Sequence, residues 1–123
     1  MTAKQPHILI VDDEDDLRLL LHESLEGHGY HISSASDGEE AIELLKRERF
    51  DLTLLDIQMP KVNGLQVLKY IREHSPHTRA VMLTGYADLS HAMEAKEHGA
   101  VEFIGKPYKL NDILSTISRV LTE

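Results

Sequence analysis

Chemically capable residues recur at one kind of place in this 123-residue sequence, directly after a short apolar run. Asp56 ends Leu52-Thr53-Leu54-Leu55 and is followed closely by Met59-Pro60. Asp12-Asp13 follow Ile8-Leu9-Ile10-Val11, Thr84 follows Val81-Met82-Leu83, and Lys106 follows the run ending Phe103-Ile104. A carboxylate at the end of a buried strand needs compensation, because burying a charge without partners costs several kcal/mol or more. Three carboxylates held close together would repel and raise at least one pKa. A hard divalent cation removes that conflict, and Mg²⁺ (or Mn²⁺) takes carboxylate oxygens together with water and phosphate oxygens. Aspartate is also a nucleophile toward phosphorus, forming an aspartyl phosphate. Phosphoryl transfer is mostly positioning and charge neutralisation. Mg²⁺ would supply one cation for it and Lys106, a flexible point charge, another. The Thr84 hydroxyl could donate to a phosphate oxygen.

Each residue also has a plainer role open to it. Asp56 could cap its strand by accepting backbone amides, and Asp12-Asp13 could cap the first helix and favour its positive end. Thr84 could be an ordinary strand-end residue, Lys106 a surface charge and Phe103 a core side chain. The histidines, His28 with His31 and His74 with His77, lack further clustered ligands and suit a solvated surface better than zinc.

The elements that would position these residues alternate between two hydrophobic periods. Ile8–Val11 is a continuous, β-branched apolar run, as in a strand buried on both faces. Leu17, Leu20, Leu21, Leu25 and His28 follow at helical spacing, with Gly27 and Gly29 as stop signals. His31–Ala35 is a more polar strand suited to a sheet edge. Asp37-Gly38-Glu39-Glu40 has the form of an N-cap with a glutamate three residues on, opening a helix through Ala41, Leu44 and Leu45. A third strand spans Asp51–Asp56, a third helix opens at Gly64, and a fourth strand spans Arg79–Thr84. A fourth helix is expected over Asp88–Glu97; its apolar face is largely alanine, so it should be held less firmly than the others. Val101–Ile104 is a fifth strand, and Leu110, Ile113, Leu114, Ile117 and Leu121 line a last helix. Five strand–helix alternations with short connections predict an α/β fold, a parallel sheet with helices on both faces. Ligands of such sheets bind beyond the carboxyl ends of the strands, which is where the candidate residues would converge.

Composition narrows the function. The length predicts one domain over residues 1–123. A net charge of −8 argues against nucleic-acid binding, which needs a basic footprint. The absence of cysteine excludes disulfides, thiol nucleophiles and Cys-based zinc sites. No apolar stretch approaches the roughly 20 residues needed to span a bilayer. The first residues have no signal-peptide anatomy, so a cytoplasmic location without membrane attachment is the expectation.

With these residues placed, the chain closely resembles the receiver domain of two-component response regulators, the chemotaxis receiver among them, over essentially its whole length. The matching elements are Ile10-Val11-Asp12-Asp13, then Leu55-Asp56-Ile57-Gln58-Met59-Pro60 with Gly64, then Leu83-Thr84-Gly85, then Phe103-Ile104-Gly105-Lys106-Pro107. The resemblance implies a flavodoxin-like, doubly wound five-stranded sheet in the order 2-1-3-4-5, flanked by five helices. It implies that Asp56 accepts a phosphoryl group from a sensor histidine kinase or phosphotransfer protein. Asp12, Asp13, Asp56 and the main-chain carbonyl of Gln58 would hold Mg²⁺. Lys106 would pair with Asp56 and then with the phosphate, Thr84 would move to bond it, and the Phe103 rotamer would follow. The face built by the fourth helix, fifth strand and last helix would then change its partner preference, for an output domain or for a homodimer. Asn63 stands where the family commonly has Asp, and Gly85 where Ala is frequent. The stretch from Thr84 to Asp88, with Gly99-Ala100 and Phe103–Tyr108, is most similar to receivers attached to transcription activators.

Three other functions compete. Phosphatases that use an aspartyl phosphate place a second acid two residues after the nucleophile, where this chain has Gln58, so a turnover enzyme is not expected. A pure interaction module would have no need of Asp12, Asp13, Asp56, Thr84 and Lys106 together. A flavin site lacks a hydroxyl-rich phosphate loop after the first strand, where Asp12-Asp13 would repel a phosphate unless metal were present.

Overall fold

The structure is a computed structural model; it describes residues 5–56, 64–84, 96–105 and 108–122, with Thr84 described in its backbone only. In chain order the elements are β1 (His7–Val11), α1 (Asp15–Glu26), β2 (His31–Ala35), α2 (Gly38–Arg47), β3 (Leu52–Asp56), α3 (Gly64–His74), β4 (Arg79–Thr84), β5 (Glu102–Gly105) and α4 (Leu110–Thr122). The strands form one five-stranded sheet in the order β2-β1-β3-β4-β5, and every neighbouring pair is parallel. The described residues thus hold four of the five expected helices. The one expected over residues 88–97 lies outside them, apart from Lys96 and Glu97, which are helical.

Alternation along the strands splits the core in two. Ile8, Ile10, Leu52, Leu54, Val81, Leu83 and Ile104 face α1 and α4, meeting Leu21, Leu25, Ile113, Ile117 and Val120. Leu9, Val11, Leu55, Ala80 and Met82 face α2 and α3, meeting Leu45, Phe50, Leu68 and Ile71. The central strands are apolar on both faces because both faces are covered. Strand β2, with Ser33 and Ser34, occupies an edge as its polarity predicts.

Local signals place the helices. The Asp37 carboxylate accepts the Glu40 N–H at 2.8 Å, satisfying one of the amides left over at the start of α2. Glu40 does not complete the reciprocal box; its carboxylate accepts from the Ser36 hydroxyl at 3.1 Å. The α1 stripe is narrower than its sequence suggests. Leu21 and Leu25 are buried and Leu17 is half-buried, whereas Leu20 is 58 % exposed and His28 lies past the helix end, on the surface. At 100° per residue, Leu20 projects away from the direction shared by Leu17, Leu21 and Leu25.

Candidate functional site

Strand pairing gathers the acids. Val11 pairs with Leu55, so Asp12 and Asp56 stand side by side at the carboxyl ends of adjacent strands. The order β2-β1-β3 reverses direction at this point, which opens the crevice where ligands of such sheets bind. Asp12 and Asp56 are buried, and Asp13 is exposed at the mouth. One carboxylate oxygen from each of the three lies within 4.8 Å of the others. Among the described residues this is the one group of three or more histidine and carboxylate side chains close enough to share a metal ion.

The backbone around Asp12 is firmly held. Its N–H donates to the Ala35 carbonyl at 3.2 Å, continuing the β1–β2 ladder past the strand end. Its Oδ1 accepts the Glu14 N–H at 2.8 Å, closing a tight turn. Glu14, rather than either aspartate, is the N-cap of α1, and its side chain makes no capping bond. The capping role left open for Asp12-Asp13 is represented by this turn contact, in which Asp12 Oδ1 accepts the Glu14 N–H.

The donor set suits Mg²⁺. It is all carboxylate oxygen, with no nitrogen or sulfur, as a hard cation prefers. Oxygens sharing one octahedral ion at roughly 2.0–2.1 Å must lie within about 4.2 Å of each other. A cluster already within 4.8 Å reaches that by small side-chain rotations.

The remaining predicted site residues fall in three places. Thr84 follows Leu83, which pairs with Asp56, and itself pairs with Gly105, so its backbone borders the crevice on the β4 side. Phe103 pairs with Met82 and is half-buried against the α2–α3 side of the core. Lys106 and Gln58 lie outside the described residues.

Two residues at the site carry no signal in the sequence that would single them out. Tyr108 follows Lys106 by two residues, and its hydroxyl is buried. Its phenol pKa is pushed above the ordinary range, first by burial and then by the negative charges of Asp56, Asp12 and Glu14. Arg18 reaches back from α1 and donates through Nη1 to the Asp12 carbonyl at 2.8 Å. An arginine six residues after an aspartate is too common a spacing to stand out, and only the turn into α1 brings the two together.

Residues 8–118 match the model of the response regulator receiver domain. The chain belongs to that family. This receiver is 34% identical over 114 residues to the sporulation initiation phosphotransferase F of Bacillus subtilis, a match covering 93% of this chain and 92% of that protein. It is 40% identical over 113 residues to the response regulator protein PilR of Pseudomonas aeruginosa, covering 92% of this chain but 25% of PilR. Its fold superposes on a CheY-like response regulator receiver domain protein from Methanospirillum hungatei with a TM-score of 0.93 and 31% identity, over 97% of this chain and 95% of that one. Some relatives are therefore about as long as this receiver, while in others the same domain is a quarter of a longer regulator. Among the described residues no helix is long and apolar enough to cross a membrane.

Proposed function

We propose that this receiver is switched by phosphorylation of Asp56. The observation that carries the proposal is the meeting of Asp12, Asp13 and Asp56 within 4.8 Å, with Asp12 and Asp56 buried. A carboxylate oxygen of Asp56 attacks the phosphorus of a phosphohistidine on a sensor kinase or phosphotransfer protein. The O–P bond forms as the N–P bond breaks, and the imidazole leaves with its electron pair. Asp12, Asp13, Asp56 and the Gln58 carbonyl would hold Mg²⁺, which offsets negative charge on the phosphoryl oxygens when bound. Lys106 would add a second cation, and Thr84 would hydrogen-bond the phosphoryl group.

A charge change of roughly −1.5 to −2 at Asp56 is the input to the switch. Movement of Thr84, followed by Phe103, would carry it to the surface built by the 88–97 segment, β5 and α4. That surface would control an output, transcription being the first candidate, or a homodimer. The receiver would catalyse its own phosphoryl transfer and dephosphorylation without being a turnover enzyme, and would work in the cytoplasm. The test is incubation with Mg²⁺ and a small phosphodonor, read by intact mass, with beryllofluoride binding read by amide NMR. An Asp56-dependent mass gain supports the proposal. No gain, or an equal gain in Asp56→Asn, refutes it.

A further inference from the structure

We propose that Arg18 is the positioning residue of the acidic cluster: its guanidinium locks the main chain at Asp12, and so aims the Asp12 carboxylate at Asp13 and Asp56. The inference deepens the Mg²⁺ reading of the cluster and rests on it.

Asp12 is completely buried and sits where β1 gives way to the turn into α1, a junction with no regular ladder on its far side. Bonds from at least three directions hold it. The Ala35 carbonyl takes its N–H at 3.2 Å, the Glu14 N–H occupies its Oδ1 at 2.8 Å, and Arg18 Nη1 grips its carbonyl at 2.8 Å. The first two fix the residue along the strand and around the side-chain turn. The third ties the Asp12–Asp13 peptide to α1. The Arg18 bond fixes this peptide, and with it the turn in which the Glu14 N–H holds the Asp12 carboxylate in the cluster.

Arg18 is suited to this by its fork. Nη2 bonds Asp15 Oδ1 at 2.6 Å while Nη1 holds the Asp12 carbonyl, so one planar group spans two partners. The Arg18 side chain is 20 % exposed and that of Asp15 84 %, which makes the Asp15 pair a solvated one of small energetic weight. The bond to Asp12 is the sheltered one. Its charge is opposed by the helix dipole. Arg18 lies in the first turn of α1, where the helix dipole disfavours a cation. It also lies beside a site built for a dication, which its charge repels. Its charge would therefore weaken Mg²⁺ binding, whereas its hydrogen bond to Asp12, by holding a metal ligand in place, would strengthen it.

These two effects have opposite signs in one measurement, the Mg²⁺ dissociation constant. The wild-type receiver, Arg18→Lys, Arg18→Gln and Asp15→Asn are titrated with MgCl₂ by calorimetry and by amide NMR, with thermal unfolding as the check on folding. Partners that orient metal ligands typically contribute about 10–100-fold to affinity. A positioning role predicts that Arg18→Lys and Arg18→Gln both weaken binding by about 10-fold, since lysine keeps the charge without the fork. It also predicts shifted amides at Asp12, Asp13 and Glu14 in the metal-free variants. Asp15→Asn, which removes only the solvated pair, should change affinity by less than about 3-fold. Tighter binding by Arg18→Gln with wild-type binding by Arg18→Lys overturns the proposal, because then only charge matters. Unchanged affinity in both overturns it too, and leaves the metal reading standing. Failure of the wild type to bind Mg²⁺ overturns both.

Discussion

Asp56→Asn should make the metal-free receiver more stable, and Mg²⁺ should erase most of that gain. The buried carboxylates of Asp12 and Asp56 approach within 4.8 Å. Two unit charges at that separation repel by about 3.5 kcal/mol at an effective dielectric of 20. Relaxation in the metal-free state, and any cation that Lys106 contributes, reduce that figure, so a gain of roughly 1–3 kcal/mol is expected. In a chain of 123 residues each kcal/mol moves the melting temperature by about 3–5 °C. The assay is urea and thermal unfolding of wild type and variant in EDTA, then in a MgCl₂ series. A ligand at 100 times its dissociation constant stabilises the folded state by about 2.7 kcal/mol, and the wild type, with the full donor set, should collect far more of this than the variant. The two stability curves should thus converge or cross as Mg²⁺ rises. If the variant is no more stable in EDTA, the repulsion on which the metal argument depends does not exist. If its advantage is unaffected by Mg²⁺, the cluster is not the metal site.

Further predictions concern the scaffold. Thr53 Oγ1 is buried in β3 and, among the described residues, has no hydrogen-bond partner, so Thr53→Val should stabilise the fold by about 1 kcal/mol in urea unfolding. Asp37→Ala removes the cap bond to Glu40 and should cost about 1 kcal/mol by the same assay. His7 is stacked on His31 with ring centres 4.1 Å apart, and its pKa is lowered by burial first and by His31 second. The unfolded chain therefore takes up this proton at higher pH than the folded one. The stability linked to His7 is complete above the ordinary histidine value of 6.5 and falls as pH drops through that value toward the folded pKa. NMR titration should place His7 below 6.5, and His31→Ala should move His7 back up; an unmoved His7 refutes the coupling.

Much of this protein was legible in one dimension. The apolar runs Ile8–Val11, Leu52–Leu55 and Ala80–Leu83 announce strands buried on both faces, and the observed strands contain them all. Asp37 marks the start of α2 because a cap is a contact between residues three apart. Asp12, Asp13 and Asp56 stood out as candidates because a charge directly after such a run is costly wherever the fold goes. That Asp12 and Asp56 also meet in one cluster follows from β1 and β3 becoming neighbours, with Val11 opposite Leu55. The misplaced Leu20 shows the limit of periodicity, since helical spacing defines an apolar arc but not how much of it the sheet will cover.

The sequence by itself determined the element order, the parallel α/β class and the residue types that end each strand, because these follow from short-range periodicity and local chemistry. Only the tertiary structure decided that Asp12 and Asp56 share a crevice, that Arg18 turns back onto the Asp12 carbonyl, and that the Tyr108 hydroxyl feels the same carboxylates. The physical reason is that these contacts join different elements. They depend on strand register and on the direction a helix leaves its strand, quantities fixed by packing the whole sheet rather than by any neighbouring stretch of chain.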